Sequence, residues 1–133
     1  MLFRRRVLLT TLVFSAACSF LAACGTHEAR GTGPRFAMVT DIGGLGDRSF
    51  NDSADAGLKD AQRDLGADIT VLQSRSAADY QPNLTALANK NEDLIVAIGF
   101  LMAKDVADVA QRFPKQQFGI IDAVVNQPNV TSA

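Results

Sequence analysis

The chain has 133 residues, with 13 Lys+Arg against 14 Asp+Glu, one histidine and two cysteines. That length suits a single α/β unit. The near-neutral balance gives no basic stripe of the kind nucleic acid requires, and no His, Cys or acid cluster has metal-ligand spacing, so neither a metal nor a cofactor is expected.

Arg4, Arg5 and Arg6 form a basic n-region, and Val7 to Ala23 is uncharged and mostly apolar, ending in Leu21-Ala22-Ala23-Cys24. A basic start, an apolar run and small residues before a cleavage point make residues 1–23 a secretory signal peptide. The run is short for a helix crossing a bilayer core, which takes roughly 20 residues; a retained membrane anchor is the alternative. The Leu21-Ala22-Ala23-Cys24 segment resembles the bacterial lipobox, which implies cleavage before Cys24 and a diacylglycerol on its thiol. Cys18, after Ser15-Ala16-Ala17, matches less well and leaves with the signal. Removal of the signal takes three of the 13 basic residues and none of the 14 acidic ones, moving the net charge from −1 to about −4. With Cys24 acylated no thiol remains for a disulfide, so burial alone must hold the fold. The expected location is the cell membrane, lipid-anchored and facing the periplasm or the exterior.

Residues 24–35 read as a lipidated tether, because Gly25 to Pro34 carries no apolar periodicity. The lone His27 falls there without a ligand-spaced partner. Phe36 to Thr40 is a short apolar run, as expected of a strand buried on both faces. Asp41 to Arg48 is a loop rich in Gly and Asp. Ala54, Gly57, Leu58, Ala61 and Leu65 then recur at three- and four-residue spacing and mark one face of a helix, which Gly66 ends as a C′ residue. Ile69 to Leu72 is the second strand. After a polar loop, Asp79 is placed to cap a second helix, with Pro82 in its first turn and Leu84, Leu87 and Ala88 inward. Leu94 to Ile98 is the third strand. A third helix spans about Met102 to Phe113, with Val106, Val109 and Ala110 inward and Pro114 beyond its end. Phe118 to Ile121 is the fourth strand, and Asn129 to Ser132 approaches a further one. Apolar strands alternating with amphipathic helices predict an α/β fold, a Rossmann-like, doubly wound parallel sheet with right-handed crossovers. A sheet stopped at this point leaves an edge unpaired, which leads us to expect an incomplete domain, a fragment of a longer protein.

Open parallel sheets bind ligands beyond the carboxyl ends of their strands. That rule selects Asp41 to Phe50, Ser74 to Tyr80, Gly99 to Met102 and Asp122 to Asn126. Asp41 and Asp122 directly follow apolar strands, where a carboxylate accepts hydrogen bonds from a ligand or bridges a loop. Ser49 and Asn51 either contact a ligand or cap the helix that follows. Phe50 either stacks on a ligand or staples the helix start, and Phe100, after Gly99, either lines a pocket or packs under a loop. Tyr80 reads as structural, at a helix start. The loop has glycines but no P-loop lysine, and Gly43-Gly44-x-Gly46 does not fit the dinucleotide fingerprint. No nucleophile with a base is visible, so the residues describe a binder and not an enzyme.

Val39-Thr40-Asp41-Ile42-Gly43-Gly44, Asp47-Arg48-Ser49-Phe50-Asn51, Ser76-Ala77-Ala78-Asp79-Tyr80-Gln81-Pro82-Asn83-Leu84, Ile98-Gly99-Phe100-Leu101-Met102 and Ile120-Ile121-Asp122-Ala123-Val124-Val125 follow one another in this order. With these segments, residues 36–133 resemble the basic membrane protein family of substrate-binding lipoproteins, which includes purine nucleoside receptors of ABC importers. The resemblance implies the N-terminal lobe of a type I periplasmic-binding-protein fold, with ligand held in an interlobe cleft. It implies a monomer that hands a purine nucleoside to ABC permease and ATPase subunits. By position, Phe50 would stack on the purine and Asp122 would bind the base edge. Asp41, with Ser49 or Asn51, would add polar contacts. The alternatives are a sugar or signalling molecule in the same fold, or a membrane-tethered regulatory protein with no transport role.

Overall fold

The structure, a computed structural model, describes residues 32–133. The signal segment, Cys24 and most of the tether, His27 included, lie outside the described residues. Strand β1 spans Arg35–Val39, one residue earlier than the expected domain boundary, and α1 spans Phe50–Leu65. Then come β2 (Asp68–Leu72), a 3-10 turn leading into α2 (Tyr80–Asn89), β3 (Leu94–Ile98), a second 3-10 turn into α3 (Ala103–Arg112), β4 (Phe118–Ile121) and β5 (Val130–Ser132). All neighbouring strands are parallel, in the order β2-β1-β3-β4-β5.

The chain steps from β1 outward to β2, then back across β1 to β3 and on to β4. The reversal leaves a switch point between β1 and β3. Right-handed crossovers in opposite directions put α1 on one face and α2 with α3 on the other, and α2 and α3 do pack together over the sheet. Ala37, Val39, Ile95, Ala97, Phe118 and Ile120 stand in register on that second face. They form the main core with Leu84, Leu87, Met102, Val106 and Val109, all fully buried.

Two local details depart from expectation. The apolar stripe of α1, expected inward, is only partly covered: Ala54, Leu58 and Ala61 are half-buried, Gly57 and Leu65 are exposed, and the buried residues of the helix are Asn51 and Asp55. The loop before the helix anchors its first turn, where the Asn51 amide donates to Asp41 and Asp47. The step from β4 to β5 uses the loop Asp122 to Asn129 and no helix, although parallel connections normally take a dozen residues or more. Asn129 secures the loop, its buried amide nitrogen donating to the carbonyls of Ala110, Phe113 and Gln116 at 3.2, 3.1 and 2.8 Å. The first two lie at the end of α3, where helix carbonyls lack intrahelical partners, and the third in the loop before β4.

Candidate ligand-binding site

The carboxyl ends of the strands converge at the switch point. Gly99, just past β3, has φ +105, and a Cβ added there would come 3.4 Å from Asp41 Oδ2. Glycine suits this position for its backbone conformation, and the β1 loop reaches it in ordinary contact through Asp41. The Gly99 N–H donates to the Ile121 carbonyl at 3.1 Å, which brings the end of β4, and with it Asp122, beside Gly99. On the other side, Leu45 N–H donates to Gln73 Oε1 at 2.9 Å and Ser74 N–H to Thr40 Oγ1 at 3.3 Å, tying the β2 loop to the β1 loop.

Asp41 is half-buried. Its Oδ1 accepts from Gly43 N–H at 2.8 Å and from Asn51 Nδ2 at 2.8 Å. Its Oδ2, beside Gly99, takes no hydrogen bond from the described residues and is free to accept from a ligand. Asn51 is 1% exposed and spends both amide protons, the second on Asp47 Oδ2 at 3.0 Å. Asn51 therefore sits behind Asp41 and orients it, while its own Oδ1 is buried without a partner among the described residues.

The expectation that Ser49 or Asn51 caps α1 is not met by either side chain. Ser49 holds the cap position without a side-chain bond, and Asp47 does the work from two residues earlier. Its oxygens accept from the N–H groups of Ser49, Asn51 and Asp52 at 2.8, 3.0 and 3.1 Å. Partial burial pushes the Asp47 carboxyl up, but these N–H bonds, with the Asn51 side chain, hold it below the usual carboxylate value. Asp52 closes the loop from inside the helix, accepting from Gly46 N–H at 2.7 Å and Arg48 N–H at 2.9 Å. The sequence signal for both was available, since acids flanking a glycine loop before a helix meet many free N–H groups. Asp79 is the same kind of residue. It was expected to cap α2, yet its carboxylate turns back to the N–H groups of Arg75 and Ser76, both at 2.9 Å.

Phe50 and Phe100 are each 61% exposed, so neither serves as a buried staple or a packed loop anchor. Both stand at the carboxyl end of the sheet, where Ser49 and Asp122 are also exposed. Asp122 has φ +65, a left-handed conformation that costs a side chain energy and is met at functional turns. A groove of about 510 Å³ at this end is lined by Ile42 to Leu45 and Gln73 to Arg75. A larger hollow of about 650 Å³ lies between the α2–β3 and α3–β4 loops, at the amino ends of the strands. The switch-point end is the better candidate, because only there do strand-end carboxylates, a close-approach glycine and exposed aromatic rings meet.

Residues 35–133 match the family described as ABC transporter substrate-binding protein, PnrA-like. An ABC transporter nucleoside-binding protein, BmpA, from Lactococcus lactis is 36% identical over 98% of this chain and 40% of its own length. An uncharacterized lipoprotein of Pyrococcus furiosus is 37% identical over 81% of this chain and 28% of its own. Among solved structures, an ABC transporter solute-binding protein from Aeropyrum pernix superposes with a TM-score of 0.69 at 37% identity, covering 74% of this chain and 28% of that one. The chain thus spans well under half the length of these relatives.

Proposed function

The chain belongs to the PnrA-like family of ABC transporter substrate-binding proteins, and from that premise we propose that it binds a purine nucleoside for import through ABC permease and ATPase subunits. The observation that carries this reading is the free Asp41 carboxylate oxygen beside Gly99, on a rim that also holds Asp122 and the exposed Phe50 and Phe100 rings. Carboxylates accept the N–H and O–H donors of a base and a ribose. Two of them disfavour a phosphate by charge repulsion, so a nucleoside fits better than a nucleotide. Phe50 offers a face for stacking, worth roughly 1–3 kcal/mol per base in nucleic-acid complexes. Asp122 takes the base edge, and Asp41 a ligand hydroxyl or N–H. Asn51 holds Asp41, and Ser49, Gly99 and Phe100 complete the wall. The nucleoside-binding relative in Lactococcus lactis supports the ligand class.

Calorimetric titration of the full chain with inosine, adenosine and guanosine tests this directly. Heat of binding with at least one is expected; silence with all three and clear heat with a sugar would end the nucleoside reading. Cys24 is the proposed lipid attachment site, a reading supported by the lipoprotein relative. Labelled palmitate should enter the wild-type protein and not Cys24→Ala; equal label in both would remove the anchor.

A further inference from the structure

Thr40 is the first residue past β1 and is fully buried. Its N–H donates to the Leu72 carbonyl at 3.0 Å, which carries the β1–β2 ladder one step beyond the last strand pair, Val39 with Leu72. The bonds of a parallel ladder are evenly spaced. At the start of this pair the Asp68 N–H donates to the Pro34 carbonyl, and the same spacing at the far end would put the Ser74 N–H on the Thr40 carbonyl. It goes instead to the Thr40 hydroxyl oxygen, at 3.3 Å. A side chain takes the place of the main chain at the rung where the two strands part.

The same hydroxyl donates to the Asp41 carbonyl at 3.0 Å, so its oxygen and its proton are both used. A buried hydroxyl is costly unless it is bonded, and valine would fill nearly the same space without that cost. Packing accounts for the methyl group, and the two bonds account for the oxygen. Ser74 is itself anchored, because it is buried and its Oγ accepts from Asn83 Nδ2 on α2 at 3.2 Å. A line of bonds therefore runs from α2 through the β2 loop to the backbone of Asp41. Gly43 and Asn51 hold the Asp41 carboxylate through Oδ1, which sets the side chain against its own loop and α1. The Thr40 bond sets the peptide from which that side chain hangs.

We propose that Thr40 is a positioning residue for Asp41: its buried hydroxyl, held by the Ser74 N–H and donating to the Asp41 carbonyl, locks the Asp41 peptide to the β2 loop and keeps the free Oδ2 turned to the switch point. The inference rests on the reading of Asp41 as a ligand acceptor, and it adds a fully buried residue that touches no ligand itself.

Thr40→Val keeps the shape and removes the oxygen, whereas Thr40→Ser keeps the oxygen. In the full chain, Thr40→Val should lower inosine affinity by about tenfold and quicken amide exchange at Ser74 by about tenfold, the scale of one lost hydrogen bond. Exchange at Ile95 in β3 should not change, and Thr40→Ser should restore both values. On an Asp41→Ala background, Thr40→Val should cost no further affinity, because it acts through Asp41 alone. An unchanged Ser74 amide in Thr40→Val would overturn the proposal, and so would a faster amide with unaltered inosine binding, which reduces Thr40 to a structural part. An equal loss in Thr40→Ser, or a further loss on the Asp41→Ala background, would overturn it too. If wild-type protein binds no nucleoside, the functional reading fails by itself and the Ser74 amide still decides whether the lock exists. Should Thr40→Val not fold, Thr40→Ala against Thr40→Ser makes the same comparison, since that pair differs by the oxygen alone. Weaker inosine binding by Thr40→Ala is then expected, and equal binding by the two would overturn the proposal.

Discussion

At the scale of single residues, the site is built by acids that serve backbone amides. Asp47 carries the N-terminus of α1 through three N–H groups, so Asp47→Ala should lower Tm by about 4 °C, the scale of a lost helix cap. An unchanged melt would mean that water replaces the carboxylate at no cost. Asp79 is held below its ordinary value first by the N–H groups of Arg75 and Ser76. A carboxyl depressed in the folded state adds stability that is present above pH 3.8, its unfolded value, and is lost as pH falls through the lower folded value. The acid limb of a Tm-against-pH profile should therefore flatten in Asp79→Asn; an identical limb would assign the acid sensitivity to other groups. Asp122 presents the reverse case, since its left-handed backbone is a local cost. Asp122→Gly should leave Tm level or raised while purine binding is lost. A fall in Tm with binding retained would make the carboxylate structural. Phe50→Ala, at an exposed ring, should weaken purine binding by at least tenfold with no change in Tm; equal affinity would return the ring to a surface role.

At the scale of elements, the two faces of the sheet are secured differently. Leu84 on α2 and Val109 on α3 are fully buried between helices and sheet. Either residue changed to alanine should cost about 2–4 kcal/mol by denaturant melt, through the cavity left behind. On the other face α1 ends with Leu65 largely exposed, and Leu65→Ala should stay within about 0.5 kcal/mol. Comparable losses at Leu65 and Leu84 would show that the end of α1 is buried after all. The stripe was legible from spacing, but its depth was not. Periodicity reports which residues share a helix face, whereas the burial of Asn51 goes with its bonds to Asp41 and Asp47 in the loop before the helix. Gly66 was fully legible, because only a residue free at φ +64 ends the helix there without strain.

For the molecule as a whole, the order β2-β1-β3-β4-β5 creates the switch point and thereby sets the candidate site at one end of the sheet. The strands, helices and their succession were set by the sequence, since apolar runs, helical spacing and turn residues act over ten residues or fewer. Parallel pairing and the carboxyl-end rule then sufficed to gather Asp41, Gly99 and Asp122 before any coordinates. Only the tertiary structure decided that Asn51 stands behind Asp41, that Asp47 replaces Ser49 as the cap, and that Asn129 closes the end of α3. The physical reason is common to all three. A hydrogen bond forms or fails with angstrom changes in side-chain direction, and those directions are fixed by packing between segments far apart in the chain, where local pattern carries no information.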